Sequence, residues 1–307
     1  METRALRYFQ AVAELASYSR AAEFLRISQP AVSRQISQLE AELGQALFIR
    51  HGHGVSLTEA GKLLLERSQS ILRQLDQAQA EVRRGSQGPS GTVTLAVPPA
   101  AGHFLIPALT RRFAAAYPNV FLKIVAGYSA FIHEWLVRGQ ADLACVHDPL
   151  PQRGFVTVPL IREPVYLVGR EDAFPKPVGH IRIQDLDQVQ LILPSRPNAS
   201  RRLLDGWVAR HGIALDVRME VDDPTLIRAL LREGTFCSLL TLGSFQAESR
   251  LGELHAMPFR PAAHWQLTLI QATSAQASPV VAALAAMIRE TARDLHKRGV
   301  WPGLLPG

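Results

Sequence analysis

The chain has 307 residues, is 47% apolar and 20% charged, and carries a formal net charge of +6. That length allows two or three domains, the apolar content is ordinary for a globular protein, and no run is long and apolar enough to span a bilayer as a helix. The positive excess favours a polyanionic partner without establishing one, and the first ninety or so residues are only slightly basic, so any nucleic-acid argument must rest on where residues are placed.

Met1-Glu2-Thr3-Arg4 leads directly into a helix, so no signal peptide is expected and the cytoplasm follows. Leu6, Phe9, Ala13 and Ala16 predict a first amphipathic helix. A second starts at Ser17 or Ser19 and runs through Ala21, Ala22 and Leu25, its alanines permitting close helix contact. After a tight turn Ser28 is placed to cap a third helix, with Pro30 in the first turn where its missing N–H is harmless. Val32, Ile36, Leu39 and Leu43 recur at spacings of four, three and four, one stripe that must be buried. Gln29, Ser33, Arg34 and Ser37 lie off that stripe. Arg chelates guanine, Gln chelates adenine, and Ser lets the backbone approach phosphate, so this helix is expected to sit on a core with one side and in a DNA major groove with the other.

Leu47-Phe48-Ile49-Arg50 and Val55-Ser56-Leu57 flank the tip His51-Gly52-His53-Gly54 and read as a β-hairpin, or wing. Arg50 and His53 would lie on it, near phosphate or the minor groove. Thr58 then caps a long helix to about Arg84. Leu57, Leu64, Ile71 and Ala78, with Gly61, Ser68, Leu75 and Val82, make a heptad seam. A helix of that length needs a partner for its seam, and a second copy of the chain is the expected one. Gly85-Ser86-Gln87-Gly88-Pro89-Ser90-Gly91 ends it in a hinge.

From Thr92 strands and helices alternate, which argues for open α/β sheets. Strands are expected at Val93–Val97, Val120–Ala126, Leu143–Val146, Val165–Gly169, Leu191–Leu193, Val217–Val221 and Leu267–Ala272. Helices are expected at Phe104–Tyr117, Phe131–Arg138, Ser200–His211, Thr225–Arg232 and Val280–Lys297. Ligands of such sheets bind beyond the carboxyl ends of strands, often at helix starts. The residues there are Ala100, Ala101 and His103 after the first strand, Tyr128 and Ser129 after the second, His147 after the third, and Ser195, Arg196 and Asn198 after Leu193-Pro194. Hydroxyls, an amide, an arginine and helix starts together suit a small polar anion.

The segment from Ala21 to Gly61 resembles the N-terminal domain of LysR-type bacterial transcriptional regulators. Its matching words are Ala21-Ala22, Ser28-Gln29-Pro30-Ala31-Val32-Ser33, Ile36, Leu39-Glu40, Leu43-Gly44, Leu47-Phe48, Arg50 and Leu57-Thr58-Glu59-Ala60-Gly61, in order and without a gap. Gly127-Tyr128-Ser129 and Leu193-Pro194-Ser195-Arg196-Pro197 are similar to the nitrogen-assimilation-control branch of that family. The resemblance implies an α/β chain overall: a winged helix-turn-helix at 1–58, a linker and dimerisation helix with its hinge at 59–91, and a two-lobed effector domain like a periplasmic binding protein at 92–307. One lobe would take about 92–162 and 268–298, the other about 163–267. It places family DNA contacts at Gln29, Pro30, Ser33, Arg34 and Arg50. It also implies double-stranded DNA, a small-molecule effector, a dimer assembling into a tetramer, and RNA polymerase as a candidate partner. The chain departs from the family at Ala100, where many members carry Ser or Thr, at Phe236 within Gly234-Thr235-Phe236, where a second glycine is usual, and at Thr241, where a proline is customary. Phe236 is expected to narrow the cleft.

Catalytic wording is lacking: no P-loop, no G-x-S-x-G elbow, no H-E-x-x-H. No metal or cofactor site is expected, and an enzyme is not the reading. Cys145 and Cys237 each sit in an apolar run and read as buried strand residues. The competing reading is a cytoplasmic small-solute-binding module whose N-terminal helices only mediate assembly.

Overall fold

In a computed structural model the described residues are 1–52, 54–84, 89–150, 154–175, 179–273 and 278–306, without the side chains of 70, 73, 74, 76–78, 80–84 and 130. The chain divides into two units, one built on residues 1–91 and the other on residues 92–136 and 141–307.

The first unit is a three-helix head. Helices α1 (Thr3–Leu15), α2 (Tyr18–Leu25) and α3 (Gln29–Leu43) bury Phe9, Val12, Ala21, Val32, Ile36 and Leu39 almost completely. The periodic stripe of α3 is therefore its anchor, and each such aliphatic side chain contributes about 1.5–3 kcal/mol on burial. Ser17 caps α2, its hydroxyl accepting from the Arg20 amide at 3.3 Å. Two local expectations need correction. Leu43 is 40% exposed, because it is the last residue of α3 before the left-handed Gly44 turns the chain away. Ser28 occupies the N-cap position with extended backbone, but its hydroxyl receives no amide bond.

Strands β1 (Phe48–His51) and β2 (Gly54–Leu57) pair antiparallel, Phe48 opposite Leu57 and Arg50 opposite Val55. Glu40 of α3 accepts from the amides of Leu47 at 2.7 Å and Phe48 at 3.3 Å, and so ties the wing to α3. Helix α4 (Glu59–Arg84) is capped by Thr58, whose Oγ1 accepts from the Gly61 amide at 3.0 Å. Gly61 is required there: a Cβ would lie 2.2 Å from the Leu47 carbonyl oxygen. The heptad seam divides in its use. Leu57 and Leu64 pack on the head core, Ser68 is fully buried and accepts from Gln10 Nε2 at 3.3 Å, and Leu72 is buried beside it. Its first turns are thus covered by the same chain. Beyond them Ile71 is 45% exposed. Ala78 and Val82 lie outside the described side chains.

The second unit holds strands β3 (Gly91–Val97), β4 (Val120–Ala126), β5 (Leu143–His147), β6 (Phe155–Gly169), β7 (Gln190–Leu193), β8 (Asp216–Glu220), β9 (Cys237–Thr241), β10 (His255–Pro258) and β11 (His264–Ala272). Their order is β4-β3-β5-β11-β6-β9-β7-β8, with β10 also on β6. Helices α5 (Pro99–Ala116), α6 (Ser129–Val137), α7 (Ala199–His211), α8 (Pro224–Glu233), the short α9 (Gln246–Arg250) and α10 (Pro279–Lys297) accompany the strands. Two large cores result. One gathers Leu95, Leu105, Leu109, Leu269, Leu284 and Ile288; the other gathers Leu167, Leu191, Leu193, Leu204, Leu239 and Trp265. Strand β6 belongs to both: its stretch 155–164 pairs with β11, and Arg162 also bridges Leu304, whereas Val165–Gly169 pair with β9 and, from Tyr166, with β10. It begins at Phe155, well before the expected Val165, because Pro159 and Pro164 hide its continuity. Strand β11 runs alongside as the second connection between the lobes.

Candidate functional site

Two places gather the functional candidates, one in each unit. On α3, Gln29, Pro30, Arg34 and Ser37 are exposed and Ser33 is half-buried, all off the buried row of Val32, Ile36 and Leu39, with Pro30, Arg34 and Ser37 on its far side. None of the polar ones makes an intramolecular side-chain hydrogen bond or ion pair among the described residues. Arg50 is also exposed, and its guanidinium stands 5.2 Å over the ring of Tyr18, the first residue of α2. Burial and then Glu40 push the Tyr18 phenol up, while Arg50 opposes them. The ring thereby holds the Arg50 guanidinium itself, a cation–π contact that nothing in the local sequence around Arg50 announces. His53 lies outside the described residues.

The second place is a cavity of about 70 Å³ between the two lobes of the second unit. Of the residues expected there, Ala100, Tyr128, Ser129, His147 and Asn198 line it. The others do not. Ala101 is fully buried among Phe104 and Leu105 in the lobe core, because a helix turns successive side chains to different sides. His103 lies in a neighbouring recess of about 340 Å³ and faces Gln246 at 3.2 Å. Ser195 is tied to Asp222 through its hydroxyl at 2.6 Å and its amide at 2.9 Å. Arg196 is taken by Asp205, Nε to Oδ2 at 2.7 Å. Phe236 packs against the second lobe's core around Val168 and Ile192, so it does not narrow the cavity, whereas Thr241 does line it.

Sequence reasoning missed Ser200, Ser244, Ile227 and Trp265, which complete the lining. Trp265 sits far along the chain on β11, and only the antiparallel register with β6 brings it to the cavity. His147 stands edge-on to Trp265, ring centroids 6.0 Å apart, and its Nε2 meets Glu163 Oε2 at 2.6 Å. The other oxygen of Glu163 accepts from Trp301 Nε1 at 2.9 Å. Glu163 is 2% exposed, and both of its oxygens have a hydrogen-bond partner. The Tyr128 phenol is pushed up by burial, then by Asp222 and Asp223, and stays a neutral donor at any physiological pH.

The lobes touch around this cavity. Gly243 lies against the first turn of α5, where a Cβ would fall 2.1 Å from the Ala100 carbonyl oxygen. Arg202 Nη2 reaches the Asp148 carbonyl at 2.9 Å. Burial drives the thiols of Cys145 and Cys237 up to about 12, so both stay protonated and inert. Among the described residues no group of His, Cys, Asp and Glu could hold a metal ion, and no helix is long and apolar enough to cross a membrane.

Comparison with known proteins covers both units. Residues 3–62 match the bacterial regulatory helix-turn-helix protein, lysR family, and residues 86–293 match the LysR substrate binding domain. The chain is 32% identical over 242 residues to the nitrogen assimilation regulatory protein Nac of Escherichia coli (strain K12), covering 78% of each chain. It is 30% identical over 305 residues to the HTH-type transcriptional regulator BbuR of Bordetella bronchiseptica, covering 99% of this chain and 94% of that one. Among solved structures, full-length CbnR complexed with its target DNA superposes with a TM-score of 0.68 at 24% identity, over 95% of this chain and 100% of that one.

Proposed function

This chain belongs to the LysR family of bacterial DNA-binding transcriptional regulators with an effector-binding domain, and on that premise we propose which of its residues do the work. Arg34 and Gln29 read base edges in the major groove. Ser33, Ser37, Pro30 and Arg50 lie against the sugar–phosphate backbone and set the register. The observation that carries this reading is the division of α3: a fully buried aliphatic row, and off it polar side chains with no intramolecular partner among the described residues. A DNA target puts the work of the protein in the cytoplasm, and its relatives are regulators, not enzymes.

The cavity between the lobes is the effector site, through Ala100, Tyr128, Ser129, His147 and Asn198. Occupancy biases how far the lobes close, and closure is the signal passed to a DNA-bound oligomer. Pairing through the exposed continuation of the α4 seam at Ile71 supplies the dimer, with half-sites about one helical turn apart. Association of dimers gives the tetramer, and RNA polymerase is the partner the bound regulator addresses.

The test is a mobility-shift titration of the full chain against DNA from beside its own gene and against a scrambled duplex of equal length. Tight binding to the first alone is expected, and Arg34→Ala is expected to erase most of the difference. Equal affinity for both duplexes before and after the change would refute the base-reading role. Sedimentation of Ile71→Glu checks the seam: dissociation to monomers is expected, and an unchanged oligomer rejects pairing through α4.

A further inference from the structure

The cavity contains two buried donors with nothing to donate to. Asn198 is 7% exposed and Trp265 is 5% exposed, and both line the cavity. Asn198 Oδ1 accepts from the Ser200 amide at 2.9 Å and from the Ser200 hydroxyl at 2.7 Å. An amide N–H can only donate, so this cap fixes which end of the side chain is oxygen. Its Nδ2 is left over, buried and without a partner, and so is Trp265 Nε1. An indole N–H also can only donate. Two unmatched donors in one small enclosure call for an acceptor on whatever fills it.

The charge that acceptor carries follows from the walls. Pro99 of α5, Ser129 of α6, Ser200 of α7 and Pro224 of α8 all line the cavity, so four helix starts present their partial positive ends to it. No lysine or arginine is among the described lining residues. The nearby arginines are engaged elsewhere: Arg196 with Asp205, Arg201 with Asp205 and Glu220, Arg228 with Glu248. Partial charges without a formal cation favour one negative charge over two, because a buried dianion needs charged donors. His147 is already matched by Glu163. The remaining walls are largely apolar, among them Pro98, Pro194, Ile227 and Leu239, and suit a hydrocarbon body.

We propose that the cavity takes a small monocarboxylate with an apolar body, its carboxylate received by Asn198 Nδ2 and Trp265 Nε1. This rests on the reading of the cavity as the effector site and names its ligand class. Arg196, the group expected from sequence to hold an anion, has no part in it.

Two substitutions isolate the donors. Asn198→Asp keeps the cap oxygen at the start of α7 but replaces the donor with an acidic oxygen. Trp265→Phe keeps an aromatic ring and removes only the N–H. The full chain and both variants are titrated calorimetrically, and melted, with acetate, pyruvate, butyrate and hexanoate, and in parallel with butyramide, butylamine and inorganic phosphate. At least one acid is expected to bind saturably and raise the melting temperature, while the amide, the amine and phosphate bind far more weakly. That acid should weaken about tenfold in Trp265→Phe and be lost in Asn198→Asp. Butyramide, butylamine or phosphate binding as well as the acids, with the same sensitivity to Trp265→Phe, overturns the ligand class and leaves the cavity as the binding place. An acid that binds both variants as it binds the parent overturns the cavity reading as well. Silence from every acid also overturns the proposal, and DNA binding measured on the same samples stands or falls separately.

Discussion

Helix α3 and the interlobe cavity both hold polar groups that make no hydrogen bond within the chain, but in opposite media. On α3, Gln29, Arg34 and Ser37 face water, so leaving them without a protein partner is nearly free. In the cavity wall, Asn198 Nδ2 and Trp265 Nε1 are buried, and a buried donor without an acceptor costs about 1–3 kcal/mol. The exposed row is presented by a rigid, well-anchored helix and waits for a partner that brings its own charge. The buried pair is served only by an acceptor brought into the cavity, which under the proposal above stabilises the complex. An idle polar group is informative in both places, but only in the second does it carry energy that a ligand can release.

The sharpest way to break this comparison is to separate the two sides of α3. Ile36→Ala removes a fully buried anchor and should lower the stability of the head by about 2–5 kcal/mol, read by chemical denaturation. Arg34→Ala should leave that denaturation curve in place and instead lose about 1–3 kcal/mol on the cognate duplex with relaxed sequence preference. Equal loss of stability from both would mean that the outward row is structural. In the cavity no such separation is expected. Gly243→Ala pushes on the Ala100 carbonyl and should lower the melting temperature, by about 1–3 kcal/mol of stability, and weaken ligand binding together. Arg50→Ala is a smaller test: affinity should fall alike on all sequences, and the slope against log salt should drop by about 1. The smallest concerns acid. Burial raises the Asp205 carboxyl, but its bonds from Arg196 and Arg201 outweigh that and hold it below the usual carboxylate range. Its contribution is therefore complete above the unfolded value of about 4 and is lost as pH falls through the lower folded one. Asp205→Asn should flatten the acid limb of the stability profile, seen in melts taken down a pH series.

Much of this was legible in the sequence where a single periodicity governs. The α3 stripe of Val32, Ile36 and Leu39, the wing around its glycines, and the alternation after Thr92 all follow local rules, and most expected elements fall within about five residues of where those rules put them, whereas β10 and α9 were not expected. Candidates at the starts of α5, α6 and α7 followed from strand ends in the same way. The failures have longer-range causes. Arg196 stood in the expected loop, yet Asp205, two turns along α7, captures it. Leu43 continued the stripe but fell at the helix end. The first part of β6 was concealed by Pro159 and Pro164, which are tolerated because the named strands pair with that stretch on one edge, through β11. Trp265 could not be assigned to the cavity without the β6–β11 register, and the hold of Tyr18 on Arg50 joins residues from different elements. Periodicity names the faces of elements; pairing between elements decides which polar side chains remain available.

The passage of β6 from one lobe into the other, with β11 alongside it, has a consequence for how such a domain can be divided or exchanged. A fragment ending near residue 163 would strip each lobe of a structural strand and expose raw backbone edges on both, so neither lobe is a portable module. New ligand preferences must then arise by substitution along the cavity walls, or by transplanting the pair of lobes whole. A chimera joined at residue 92 keeps both strands intact, and one joined at the crossing cuts through them.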